Sequence, residues 1–312
     1  MKTNGDSTSI IKLATRRLEE LRRAGVDGSW NVRDSGPPDD GMGKSTATRA
    51  GLAFQAKPAR QVPLGAAADA DSSPHAARSR SVHIDLERLQ AEGYVMPGVA
   101  RNGLADEFRL IKRPLLRNAP TLRRGNLIQV TSALPGEGKT FTAINLALSI
   151  SMELDNSVLL VDADCIRPTV FSRLGLSADL GLMDILRDPS IPLPDVLLRT
   201  NIPKLTLLSS GTGGANSTEL LASGSMEALL DELALRYSDR IIIFDTPPLL
   251  PTTESRVLAT HVGQVVVVVA AGSTPRELVA ETFSKLSNCS TVLPLLNKYV
   301  GPPLAGPYGY YE

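Results

Sequence analysis

Residues Thr131-Ser-Ala-Leu-Pro-Gly-Glu-Gly-Lys-Thr140 sit between an apolar run, NLIQVTS at 126–132, and a segment of helical pattern at 140–152. A glycine-rich turn between a buried strand and a helix is what a phosphate-binding loop requires. Gly136 and Gly138 let the backbone curl its N–H groups around an anion. The helix that begins near Lys139 adds the positive end of its dipole, the Lys139 ammonium reaches the β- and γ-phosphates, and the Thr140 hydroxyl can ligate Mg²⁺. Ala133 stands where the pattern GxxxxGK[ST] has its first glycine, so the strict motif fails by one residue and a structural turn remains the alternative. A second near-match, Pro38-Asp-Asp-Gly-Met-Gly-Lys-Ser45, has no strand before it to aim its N–H groups, and is read as chance.

Working downstream, Leu159-Leu-Val-Asp-Ala-Asp-Cys-Ile-Arg-Pro168 ends a buried strand with two carboxylates, Asp162 and Asp164. They fall at the carboxyl edge of the sheet, where open α/β sheets bind ligands. Such a carboxylate can hold a water of Mg²⁺ or accept the proton of an attacking hydroxyl; the alternative is a pair of strand-end caps. Arg240-Ile-Ile-Ile-Phe-Asp-Thr-Pro-Pro248 repeats the design, and Asp245 is then the magnesium carboxylate of a Walker B strand. Three such elements in this order are more specific than any one alone.

Short β-rich runs alternate with helical patterns from residue 126 onward: SVLLVDA (157–163), KLTLLSS (204–210), a helix over 217–237, RIIIFD (240–245), QVVVVVAA (264–271), a helix over 275–286, and TVLPLL (291–296). Runs 241–244 and 265–269 are apolar on both faces, as strands covered by helices on both sides must be. The spacing predicts an α/β fold of the P-loop NTPase type, doubly wound around a mainly parallel sheet.

The 312 residues leave room for one large α/β domain and an extension. Residues 1–125 hold 21 basic against 14 acidic side chains and residues 126–312 hold 12 against 19, so halves of +7 and −7 cancel. The basic half offers one Trp, one Tyr and two Phe for stacking bases, which argues against a nucleic-acid partner. Cys165 and Cys289 form neither a disulfide framework nor a metal spacing, so a reducing compartment, the cytosol, is expected. No apolar run approaches the ~18 residues of a spanning helix, so any membrane role is peripheral.

Upstream, residues 8–24 place Ile10, Ile11, Ala14, Leu18 and Leu21 on one helical face, giving an amphipathic helix over 1–25. The Glu19–Glu20 pair favours a protein partner or self-association over an anionic membrane surface. Residues 26–80 have the composition of a disordered linker. Residues 81–125 form a docking or self-association segment in which Phe108, Ile111, Leu115 and Leu116 recur at helical spacing. A domain over 126–298 and a flexible tail over 299–312 complete the expected organisation.

PGEGKT at 135–140, VDADCIRP at 161–168 and FDTPPLL at 244–250 resemble the Walker A, A′ and B motifs of the bacterial tyrosine kinases, which use a P-loop fold instead of the eukaryotic kinase fold. The resemblance covers about 101–312. The leader helix, the IDLERL stretch and DEFRLIKRPLLRNA resemble more narrowly the autokinases of exopolysaccharide loci beside the exosortase system. The related chromosome-partitioning and division-site ATPases carry a signature Lys where this chain has Leu134, which separates it from them.

The resemblance implies ATP and Mg²⁺ as cofactors. ATP would lie on Pro135, Gly136, Glu137, Gly138, Lys139, Thr140 and Phe141, with Asn297 at the adenine. Lys139, Asp162 and Asp164 would be catalytic, with Asp162 orienting or deprotonating the tyrosine hydroxyl, and Thr140, Asp162, Asp164 and Asp245 would surround the metal. Tyr308, Tyr310 and Tyr311, with Tyr299 upstream, resemble the tail tyrosines that this family phosphorylates in trans; a frayed terminus is the alternative. Asp106, Arg109 and Lys112 resemble a Glu-x-x-Arg-x-x-Arg self-association motif, implying a ring or dimer, against a plain solvated helix. A membrane polysaccharide co-polymerase as activator, protein substrates of polysaccharide synthesis, and a cytoplasmic location at the inner membrane face follow from the same resemblance. A nucleotide-dependent assembly switch is the rival function.

Overall fold

Strands that are apolar on both faces persist only where helices cover both, and the computed structural model meets that condition. It describes residues 80–97, 103–214, 216–237 and 239–301. In chain order the elements are β1 (Ser81–Val82), α1 (Leu86–Ala91), α2 (Gly103–Asn118), β2 (Leu127–Ser132), α3 (Lys139–Ser151), β3 (Ser157–Asp162), α4 (Val170–Arg173), α5 (Leu182–Arg187) and α6 (Leu193–Val196). There follow β4 (Leu198–Thr200), β5 (Leu205–Leu208), α7 (Ser217–Leu221), α8 (Gly224–Arg236), β6 (Arg240–Asp245), α9 (Glu254–Ala259), β7 (Gln264–Ala270), α10 (Arg276–Lys285) and β8 (Val292–Asn297). The strands form one sheet in the order β1-β4-β5-β3-β6-β2-β7-β8. Every neighbouring pair is parallel except β4 with β5.

Side chains alternate between the faces with the period of two that a pleated strand imposes. Ile128, Val130, Val158, Leu160, Ile241 and Ile243 join the core under α2 and α3. Leu127, Leu159, Val161, Ile242 and Phe244 join the other core, with Leu182 and Leu186 of α5 and Leu230 and Leu233 of α8. This is the doubly wound P-loop architecture that the sequence predicts, and the strand expected at each apolar run is present.

Two expectations need correction. The boundary at residue 126 is not a boundary of the core: Ile84, Leu89, Val95, Phe108, Ile111 and Leu115 are buried in the same cluster as the strands. Hydrophobic residues in short upstream elements have nowhere else to go, and the sheet edge and α3 receive them. The single helix expected over 217–237 is two helices, because Ser223 caps the second by accepting the Met226 N–H and so ends the first. Residues 170–200, which show no sustained period, hold α4, α5, α6 and β4. No helix among the described residues is long and apolar enough to cross a membrane. The leader helix at 8–24, the linker to residue 79, the near-match at 38–45 and Tyr308, Tyr310 and Tyr311 lie outside the described residues.

Candidate nucleotide and phosphoryl-transfer site

The loop that joins β2 to α3 turns on two glycines with left-handed backbone, Gly136 at φ 81° and Gly138 at φ 101°. A side chain is excluded twice over at Gly138, where a Cβ would come within 2.0 Å of Asn297 Nδ2. The turn is held by its own side chains: Ser132 Oγ donates to Leu134 O at 2.7 Å, and Glu137 Oε2 accepts the Leu134 N–H at 2.7 Å. It is also held from outside. Asn297 Nδ2, at the end of β8, donates to Glu137 O at 2.8 Å, and Lys298 Nζ donates to Gly136 O at 2.6 Å. Asn297, expected at the adenine, reaches the loop, where its amide grips the backbone.

The carboxylates flank the loop at the ends of adjacent strands, since Asp162 of β3 is in register with Asp245 of β6. Asp164 is committed: Oδ2 takes the Lys139 ammonium at 2.9 Å and Oδ1 takes the Arg167 N–H at 3.0 Å. Asp162 and Asp245 are different. Both are fully buried, and of their four oxygens only Asp162 Oδ2 has a hydrogen bond, from Val170 N at 3.0 Å. Two like charges out of water with three unpartnered oxygens are costly, so their protons are held more tightly. Burial first, then the Asp245 charge, pushes Asp162 up to about 8. Burial also raises Asp245 to about 6 against the opposing pull of Lys139.

Thr140 lies beside them, buried, with its hydroxyl 3.2 Å from that of Thr169. Its hydroxyl also lowers the proton affinity of Asp245, although no hydrogen bond of normal geometry joins them. The unpartnered Asp162 and Asp245 oxygens and this hydroxyl are hard oxygen donors that suit Mg²⁺. Among the described residues no three His, Cys, Asp or Glu side chains converge into a cage of their own.

Other expected residues fall further off. Phe141 turns its ring onto Tyr94, with ring centres 5.2 Å apart, so it braces the back of the loop helix. Asp106 and Arg109 pair with each other on the exposed face of α2. Lys112 is only 3% exposed and is used within the chain, donating to Ser149 O at 2.6 Å and pairing with Glu153 at 2.5 Å. The three charges of the expected self-association motif do not share one surface, because the 100° step of a helix carries Lys112 round to the α3 side. Tyr299 is half-buried and folds back over Gly301. Sequence reasoning missed Thr274 and Thr169, whose hydroxyls touch Glu137 and Thr140; short turns gave no periodic signal for either.

No family model matches the chain. Tyrosine-protein kinase YwqD of Bacillus subtilis is 33% identical over 211 residues, covering 66% of this chain and 86% of the relative. Tyrosine-protein kinase ptk of Acinetobacter johnsonii is 31% identical over 173 residues, 55% of this chain but only 23% of that much longer relative. Among solved structures, the VpsO kinase domain superposes with a TM-score of 0.57 at 30% identity, covering 63% of this chain and 95% of the domain.

Proposed function

The chain belongs to the bacterial tyrosine-protein kinase family, and on that premise we propose that it transfers the γ-phosphoryl group of ATP to tyrosine hydroxyls, its own tail tyrosines in a second copy among them. The observation that carries this reading is the buried pair Asp162 and Asp245, with three oxygens unpartnered, next to Lys139 and Thr140.

Bound Mg²⁺-ATP supplies the phosphoryl group and the cation that neutralises it. The loose transition state of phosphoryl transfer asks the protein for position and charge more than for strong base catalysis. The backbone N–H groups of 136–140 bind the phosphates, and Lys139 balances their charge. Thr140, Asp162 and Asp245 hold the metal; Asp164 steers the Lys139 ammonium and completes the metal's surroundings. Asp162 orients or deprotonates the incoming tyrosine hydroxyl. Asn297 stands at the adenine side of the loop. Tyr308, Tyr310 and Tyr311 in the segment GPYGYYE, with Tyr299 nearer the domain, are the acceptors in trans. Asp106 and Arg109, exposed on α2, remain available for contact between copies in a ring or dimer.

The setting of the family's kinases in polysaccharide synthesis gives the wider role: control of exopolysaccharide synthesis and export from the cytoplasmic face of the membrane. A membrane co-polymerase docked on the N-terminal region would act as activator. Incubating the purified chain with Mg²⁺-ATP and mapping phosphate by mass spectrometry tests the reaction, with Lys139→Met as control. Phosphotyrosine in the tail that vanishes in the control is the expected result. ATP hydrolysis with no phosphotyrosine, with and without the cytosolic part of a membrane partner, would replace the kinase with the assembly switch.

A further inference from the structure

Glu137 has the wrong sign for its place. It lies within a loop assigned to a triphosphate, is 3% exposed, and carries a carboxylate whose charge opposes the ligand's. Both of its oxygens are spent on holding the loop. Oε2 accepts the Leu134 N–H across the turn, and Oε1 accepts the hydroxyl of Thr274. Thr274 is fixed in turn. It lies just past the end of β7, where its oxygen accepts the Ala270 N–H at 3.2 Å and its own N–H donates to Ala270 O at 3.1 Å. With that lone pair occupied, its single hydroxyl hydrogen is left for Glu137.

The neighbouring strand grips the same residue by its backbone. Asn297 is in register with Ala270, accepts the Ala271 N–H at 2.8 Å on its own carbonyl, and gives its side-chain amide to Glu137 O. Glu137 is thus clamped at its side chain from β7 and at its carbonyl from β8. The two strand ends are rigid, so the clamp fixes the direction of the N–H groups at 136–138 before any ligand arrives. Preorganised donors bind an anion without the cost of ordering a glycine-rich loop.

We infer that Thr274 is a positioning residue of the nucleotide site, acting through the Glu137 carboxylate to hold the phosphate loop in its binding conformation. The inference rests on the reading that this loop binds ATP. Thr274→Val keeps the shape of the side chain but removes the hydroxyl, leaving Glu137 Oε1 buried and unpaired and the Ala270 N–H without its partner. Charged hydrogen bonds of this kind are worth enough for about a tenfold effect. Thr274→Ser keeps the hydroxyl.

Two measurements on the full chain test it. In the ATP-free protein, hydrogen–deuterium exchange of the peptide spanning 133–138 should speed up about tenfold in Thr274→Val and stay near wild type in Thr274→Ser, while exchange in α8 is unchanged. By calorimetry, Mg²⁺-ATP should bind Thr274→Val about tenfold more weakly, and Thr274→Ser within about twofold of wild type. Equal exchange and equal affinity in wild type and Thr274→Val overturn the inference and leave the kinase reading standing. Failure of the wild-type protein itself to bind Mg²⁺-ATP removes both. If Thr274→Val loosens α8 as well, Thr274 is a general structural residue and the inference is overturned.

Discussion

Two sets of buried polar groups, one at the amino end of β7 and one at the carboxyl ends of β3 and β6, are treated in opposite ways. At the amino end of β7, Gln264 is fully buried and completely used: its amide donates to Leu115 O and Gly125 O at 3.0 and 2.7 Å, and its carbonyl accepts from Asn118 at 3.2 Å. Beside it, Asn126 donates to the carbonyl of Arg240 at 3.2 Å, and Arg124 pairs with Asp231 and His261 O. At the carboxyl ends of β3 and β6, carboxylates just as deeply buried keep three oxygens without a partner. The first arrangement ties α2 to the sheet and contributes to folding. The second opposes folding and leaves charge available for a cation. Burial alone therefore does not mark the site; among the described residues it is the unpartnered buried carboxylates that do.

The comparison is broken most directly at Asp245. Asp245→Asn should reduce tyrosine phosphorylation by on the order of 100-fold or more, since a carboxylate that holds the metal is lost. The same change should raise the melting temperature of the metal-free protein, because a buried charge disappears. A lower melting temperature in that variant would falsify the contrast drawn here. Gln264→Leu is the counterpart. It strands two carbonyls and the Asn118 amide, and should cost about 2–4 kcal/mol in urea unfolding while phosphorylation per folded molecule holds. If activity instead falls as far as in Asp245→Asn, the two ends are not separable.

Solution pH sharpens the same contrast. Asp162 is raised by burial and Asp245, so the native state retains a proton that the unfolded chain loses near pH 4. The native state then binds more protons, and the contribution of these two carboxyls to stability is greatest at low pH and is lost as pH rises through about 6 and about 8. Metal-free unfolding should show a slope approaching −1.4 kcal/mol per pH unit near pH 7, steepening below about pH 6 where Asp245 also holds a proton. His261, lowered by burial, works in the opposite direction but is partly exposed. Asp162→Asn should flatten the slope, and an unchanged slope in that variant would assign the proton elsewhere. The smallest effects belong to α2. Lys112→Met, which leaves the Ser149 carbonyl and Glu153 without their cation, should cost about 1–3 kcal/mol. Arg109→Ala, at an exposed pair, should stay within about 0.5 kcal/mol by the same unfolding assay.

The site's scaffold was legible because parallel strands buried on both faces write themselves as aliphatic runs, and Asp162 and Asp245 end two of them. The glycine and lysine pattern of the loop was equally plain. What could not be read was pairing across the fold. Nothing in DEFRLIK shows that Lys112 turns inward to Glu153 while Arg109 stays out, because that depends on where α3 ends. Thr274 looked like any turn residue until β7 and the loop were side by side. The four elements within 170–200 are three to six residues long, too short for a hydrophobic period to declare itself.

The seat of β1 has a consequence for how the protein is made. Ser81 pairs with Arg199, and the backbone N–H and carbonyl of Ile84 are both bonded to the side chain of Asn201, 117 residues further on. A ribosome adding about 5–20 residues per second needs roughly 6 to 25 s to cover that distance. For that interval the nascent chain carries Val82 and Ile84 with no strand to receive β1, so chaperones have access to this segment until β4 has been made.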